Sequence, residues 1–157
     1  MSQVIPAEWA PHRAMWVGWP SHAELWGEDF EQAQSEVEGL VRALAGPGRE
    51  QVKLMIGNDE ALADAQARFA DVEGVTVVSG RFGDIWLRDT GPIFGVNSKT
   101  GAAFGFNGWG GKYVYQHDTE VADQIGEAAG VPLTRHVAIL EGGSLDHDGL
   151  GTILTTR

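Results

Sequence analysis

The stretch Asp84-Ile85-Trp86-Leu87-Arg88-Asp89-Thr90-Gly91-Pro92 packs two aspartates, an arginine and a tryptophan in front of a Gly-Pro break. Read as an extended segment, its side chains alternate, so Trp86 and Arg88 share one side and Leu87 and Asp89 the other. A carboxylate at the end of such a segment, beside a turn, is placed to face a ligand. Its two oxygens match the two parallel N–H bonds that a guanidinium offers. The same residues also fit a quieter arrangement: an Arg88–Asp89 or Asp84–Arg88 ion pair, or Asp89 bonded within its own turn. A second carboxylate stands in Leu140-Glu141-Gly142-Gly143. Glu141 follows the apolar run 137–140, which predicts partial burial, and an unpartnered buried carboxylate costs several kcal/mol. The two glycines admit a close approach by a backbone or a ligand. A glutamate bonded to turn amides fits this pattern equally well.

Other motifs fail on spacing. Phe106-Asn107-Gly108-Trp109-Gly110-Gly111-Lys112 resembles a phosphate loop. However, Tyr113 follows Lys112 where Ser or Thr is required, and Phe106 stands where the first glycine belongs. Tyr113 also takes the last glycine position of a dinucleotide fingerprint. A flexible loop presenting Trp109 is the reading that remains. Asp146-His147-Asp148 does not have calcium-loop spacing, and Asp148-Gly149 signals a hairpin turn instead. His12, His22, His117 and His136 show no ligand spacing, so no metal is expected. No Gly-x-Ser-x-Gly occurs. The 157 residues contain no cysteine, which excludes disulfides, thiolate zinc sites and a thiol nucleophile within the sequence.

These residues need a scaffold, and the pattern predicts alternating strands and helices. Residues 14–19 read as a buried strand. Phe30, Ala33, Val37, Leu40, Val41 and Leu44 recur at helical spacing, predicting an amphipathic helix over 28–45 with Glu31, Gln34, Glu36 and Glu38 on its solvated face. Gly46-Pro47-Gly48 stops it. A strand over 52–56 follows, then a helix capped by Asn58 that carries Leu62, Ala65 and Phe69. Strands are expected at 75–78 and 92–96, with 85–87 leading into the intervening turn. A hairpin loop at 97–101 returns through 102–106. Asp118 is expected to cap a third helix bearing Val121, Ile125, Ala128 and Ala129, ended by Gly130. Strands at 137–140 and 153–155 complete the chain. The order helix, strand, hairpin thus occurs twice, a weak internal repeat. Core packing is the expected use of the six tryptophans, with cation–π walls the minority one.

Length and composition fit one globular domain, at 43% hydrophobic and 21% charged residues. The balance of 11 basic against 22 acidic residues gives a net charge of −11. Such a field disfavours nucleic acid and anionic membrane and attracts small cations. No apolar run is long enough to span a membrane, and the N-terminus lacks a secretory pattern, so a cytoplasmic location is expected.

Four ordered blocks resemble a known family. Pro6-Ala7-Glu8-Trp9 with His12-Arg13 and residues 16–20 is similar to the N-terminus of the agmatine deiminases, also called the Porphyromonas-type peptidylarginine deiminases. Residues 86–92, residues 106–112, and Glu141-Gly142-Gly143 through Asp148-Gly149 to Thr155-Thr156 are similar to its next three blocks. The resemblance implies an α/β fold of pentein type, an α/β-propeller of ββαβ-like blades, incomplete in this sequence. The expected domain is 1–157, the N-terminal blades of a deiminase with no second domain. The family hydrolyses a guanidinium: a cysteine thiolate attacks the central carbon, ammonia leaves, and water releases a ureido product, with a histidine as general acid and base. Agmatine would give N-carbamoylputrescine on a route to putrescine. No metal or organic cofactor is implied.

Residue by residue, Asp89 matches the aspartate that grips guanidinium nitrogens, and Glu141 the acid that helps hold substrate and catalytic histidine. Trp86 matches an aromatic lining the site, and Trp109 sits in the matching loop as a further substrate-binding candidate. The family's His-x-Asp block and its cysteine have no counterpart here, so the sequence reads as the N-terminal part of a longer enzyme, inactive alone. Exposed strand edges and a bare blade face then predict an unstable or homo-oligomeric isolated chain. The rival readings are an acidic module that binds agmatine, polyamine or arginine groups without turnover, deimination of peptidylarginine, and a domain of purely structural use.

Overall fold

The computed structural model describes residues 5–95 and 100–155. The chain forms two compact units, one spanning His12–Leu87 and the other drawn from Met1–Pro11 together with Arg88–Arg157.

The first unit is a three-stranded parallel sheet in the order β1-β2-β3, formed by β1 (Met15–Trp19), β2 (Val52–Ile56) and β3 (Val75–Ser79). Between β1 and β2 run the short α1 (Ala23–Trp26), a 3-10 turn (Gly27–Asp29) and α2 (Phe30–Ala45). Between β2 and β3 runs α3 (Asp59–Arg68). Central strand β2 reads as a nearly unbroken apolar run, as a parallel strand covered on both faces should. Val52, Leu54, Met55 and Ile56 are all buried. Trp19, Val41, Ala65 and Phe69 complete that core, with the Trp19 and Phe69 rings edge-to-face at 5.5 Å.

The expected helix over 28–45 forms at 30–45, but its buried stripe is rotated by one position. Gln34, expected on the wet face, is buried, and its amide donates to the Pro20 carbonyl at 3.0 Å. Leu40, expected in the core, is half exposed. Positions 34, 37, 41 and 44 keep the 3-4-3 spacing of one face. The Pro20 carbonyl supplies the acceptor that a buried amide requires.

Beyond the strand ends, the Ser21 hydroxyl donates to the Trp19 carbonyl and accepts from the Gly57 amide. Asn58 caps α3 as its sequence predicts: Oδ1 accepts from the Ala61 amide at 2.8 Å, while Nδ2 donates to the Ser21 carbonyl at 2.6 Å. Asn58→Ala should therefore cost about 1–2 kcal/mol, the usual worth of such a cap. A lowered urea midpoint at unchanged slope would register it. On the solvent side, Arg68 binds Asp64 at 2.7 Å and Glu38 at 3.4 Å. The Asp64 hydrogen bond is the main reason its guanidinium pKa is raised further.

The second unit begins where α4 (Leu87–Thr90) carries the chain onward. The extended reading of 85–89 is overturned here. Asp84 accepts from its neighbour's amide, Ile85 N, at 2.7 Å and from Trp86 Nε1 at 2.8 Å, and Leu87 N donates to the Ile85 carbonyl. The chain therefore turns instead of extending. Burial follows a three-residue step, with Leu87 and Thr90 inside, so Trp86 and Arg88 do not share a strand face.

Next come β4 (Ile93–Phe94) and β5 (Gly101–Gly105), an antiparallel pair; the loop expected at 97–101 lies mainly outside the described residues. The single turn α5 (Gly108–Gly111), the 3-10 turn Asp118–Glu120, α6 (Val121–Ala129) and β6 (Leu133–Ile139) follow, with β6 parallel to β5. Asp118 is buried in the 3-10 turn that leads into α6, and the N-cap position of α6 is Glu120. Helix α6 buries Val121, Ala122 and Ile125, and Gly130 ends it in the left-handed conformation its sequence position predicts.

Strand β6 begins four residues earlier than its apolar run suggests and forms the edge of its sheet. Val137 is fully exposed and Ile139 half exposed. The run 137–140 is therefore not a buried core strand. The antiparallel pair β7 (Leu145–His147) and β8 (Ile153–Thr155) closes the described chain. Between them, Asp148 Oδ1 accepts the Leu150 and Thr152 amides. These bonds, that of Leu150 foremost, hold the Asp148 carboxyl below its ordinary range.

Of the six tryptophans, Trp19 alone is fully buried, whereas Trp9 is 79% and Trp86 51% exposed. Core packing does not explain those two. No helix of the described residues is long and apolar enough to cross a membrane.

Candidate functional site

Two of the sequence-selected segments meet in the second unit. Asp89 leaves α4 half-buried, and its Oδ1 accepts the Gly143 amide at 2.9 Å. The preceding carbonyl, that of Arg88, lies so close to Gly142 that a Cβ there would overlap it. A Cβ on Gly143 would likewise overlap Asp89 Oδ1. The glycines after Glu141 thus admit a neighbouring backbone and carboxylate, which is the close approach the sequence anticipated. The contact depends on bare Cα atoms at both positions.

Glu141 enters this junction extended, and its carbonyl accepts both the Ser144 amide at 3.0 Å and the Ser144 hydroxyl at 2.7 Å. Those bonds fix the backbone and leave the side chain unused. Among the described residues, the half-buried Glu141 carboxylate takes no hydrogen bond or ion pair, and Asp89 Oδ2 takes none. Glu141 is therefore not a glutamate tied to turn amides through its side chain.

Arg88 does not neutralise either aspartate. Its Nη2 lies 2.7 Å from Glu8 Oε1, so neither the Arg88–Asp89 nor the Asp84–Arg88 pair forms. His147 Nε2 stands 3.8 Å from the same Glu8 oxygen. Sequence reasoning named Glu8 only as part of a matching block and set His147 aside. Their proximity to each other and to Arg88 comes from chain segments far apart in sequence.

Trp109 is positioned by backbone strain. Gly108, Trp109, Gly110 and Gly111 all have positive φ, at 68°, 54°, 76° and 84°. A bulky residue in that region is an outlier. Asn107 holds the turn by accepting the Gly110 amide at 2.8 Å. The indole packs edge-on to Phe106 and Tyr113, and among the described residues no hydrogen bond or ring contact joins it to Asp89 or Glu141. Trp86 belongs to the other unit, where its indole nitrogen binds Asp84.

Chemically, the junction presents two carboxylates in a chain of net charge −11 and keeps the nearest arginine occupied. Such a site favours a cation, and free carboxylate oxygens favour a planar one with several N–H donors. No group of three or more His, Asp or Glu side chains is arranged to hold a metal ion among the described residues.

Known proteins resemble this chain over nearly its whole length. The agmatine deiminase of Stutzerimonas stutzeri is 37% identical over 162 aligned residues, covering 98% of this chain and 43% of the relative. The solved agmatine deiminase of Enterococcus faecalis superposes with a TM-score of 0.84 at 27% identity, over 98% of this chain and 43% of that one. A C. jejuni agmatine deiminase with substrate bound gives a TM-score of 0.84 at 27% identity, covering 98% and 45%. The chain spans less than half the length of these relatives. Residues 4–157 match the family described as Porphyromonas-type peptidyl-arginine deiminase, and the chain belongs to that family.

Proposed function

We propose that this chain is the substrate-gripping part of a deiminase that hydrolyses a guanidinium, with agmatine going to N-carbamoylputrescine and ammonia. The observation that carries this reading is the pair of carboxylates at one junction, where among the described residues Asp89 has one oxygen uncommitted and Glu141 both. In this reading the guanidinium lies against Asp89 and Glu141, held by charge-assisted N–H···O bonds. The thiolate attacks its central carbon and ammonia departs with the proton supplied by a histidine. Water then displaces the thiol to leave the ureido group. The thiolate belongs to the part of the relatives beyond this chain, which has no cysteine. Trp109 is an aromatic wall for the substrate.

The uncommitted oxygen of Asp89 serves equally a second reading, a module that binds the cation without turnover. One experiment separates the two. Agmatine is titrated into the 157-residue chain by calorimetry, and ammonia release is followed with and without a polypeptide that supplies the remaining part of a family member. The expected result is millimolar or tighter binding by the chain, about 4 kcal/mol or more, with ammonia formed only when both parts are present. Binding with no ammonia under either condition supports the module. No heat at about 10 mM agmatine overturns both.

A further inference from the structure

We propose that Glu8 is a positioning residue for the carboxylate junction, acting through Arg88 and from beside His147. This deepens the guanidinium-binding reading and rests on it for its functional consequence. The inference starts from α4, a single turn of four residues. Its Asp89 side chain and Arg88 carbonyl are engaged by Gly143 and Gly142. Among the described residues, its Arg88 guanidinium pairs with Glu8, at 2.7 Å. Glu8 thus fixes the far side of the turn that presents Asp89.

The same carboxylate oxygen reaches the other half of the junction. His147 lies in β7, shortly after the Glu141 loop, with Nε2 3.8 Å from Glu8 Oε1. The imidazole is 10% exposed and its Nδ1 is buried without a hydrogen-bond partner. The adjoining residue, Ala7, is pressed onto the β7–β8 turn, where a Cβ on Gly149 would stand 2.5 Å from the Ala7 amide nitrogen. Glu8 is therefore anchored by its backbone on the hairpin that follows Glu141 and by its side chain on the turn that carries Asp89. One residue ties both carboxylate-bearing segments together.

An exposed ion pair contributes little to global stability. The consequence should therefore appear in geometry and affinity more than in unfolding. The test uses the full chain as Glu8→Ala, Arg88→Met and the double variant. Each is read by agmatine affinity, by the Gly143 amide resonance in a 15N spectrum, and by the melting temperature. Glu8→Ala is expected to weaken agmatine about tenfold and to displace the Gly143 resonance, within the range of coupling measured for contacting residues. Arg88→Met should do the same, and the double variant should be no worse than either single one. A Glu8→Ala chain with unchanged affinity and an unchanged Gly143 resonance overturns the proposal, even if it melts earlier. Additive losses in the double variant overturn it too. If the parent chain takes up no agmatine, the proposed function has failed on its own. The Gly143 resonance then decides the positioning role, a shift in Glu8→Ala supporting it and no shift overturning it. Should Glu8→Ala fail to fold, Arg88→Met breaks the same pair from the other side and is judged by the same readings.

Discussion

Asp89→Asn is expected to weaken agmatine binding by at least about a hundredfold, equivalent to about 2.7 kcal/mol, while leaving the fold intact. The substitution nearly preserves shape. The amide oxygen can still accept the Gly143 N–H, as Oδ1 does now at 2.9 Å. What changes is the second position, where a carboxylate oxygen becomes an NH2 group. A guanidinium offers only donors, so that group faces it donor to donor and the negative charge is gone. Removing one partner of a hydrogen-bonded charge pair commonly costs about 2–5 kcal/mol. Calorimetry on agmatine, with the Gly143 resonance as a check on geometry, measures the effect. Equal affinity in Asp89→Asn with that resonance in place would remove Asp89 from the grip and leave Glu141 to carry it.

Gly142→Ala should give the largest loss of stability, about 3 kcal/mol. The added methyl would meet the Arg88 carbonyl oxygen, which is backbone and cannot rotate away. Either the Glu141 loop or α4 has to move, and each is fixed, the loop by two bonds from Ser144 and α4 by Glu8 and Gly143. Gly143→Ala is the informative contrast. Its methyl would meet Asp89 Oδ1, a side-chain atom that can swing aside. It should cost less stability, about 1–2 kcal/mol, but more affinity, because the carboxylate leaves its place. Urea unfolding and calorimetry on the pair separate the two effects. A Gly142→Ala chain as stable as the parent would mean that Gly142 and Arg88 are not packed in solution as they are in the structure.

The elements that could be read from sequence are those whose signals are local. Strands 52–56 and 153–155 occupy the expected residues, and Asn58 caps its helix, because apolar runs and cap chemistry act over a few residues. Gln34 and Leu40 were misplaced because periodicity fixes a helix's stripe only to within about one position. The Pro20 carbonyl that selects Gln34 is a tertiary partner. The run 137–140 is apolar, yet it lies on an edge, and sequence does not show how many neighbours a strand has. Asp84 turned the chain at Ile85 by a side-chain bond that competes with extension. At the junction, Asp89 and Glu141 were legible as residue types, and the glycines as places of close approach. That the approaching group is Arg88 and Asp89, and that Arg88 answers to Glu8, depends on contacts across many residues.

The composition of the second unit bears on the order in which the chain is made and folded. Residues 5–11 belong with residues 88–155, and the whole of 12–87 lies between them. As the polypeptide leaves the ribosome, the parallel-sheet unit has all of its residues as soon as Leu87 emerges and can collapse then. Glu8 and Ala7 meet their partners only after Arg88, His147 and Gly149 have been synthesised. Closing so long a loop carries an entropy cost that grows only slowly with length, but contacts this distant in sequence form late. The junction that holds Asp89 against Gly143 thus joins residues made early to residues made much later. A nascent chain interrupted before about residue 150 would carry a folded first unit and an unfinished binding site.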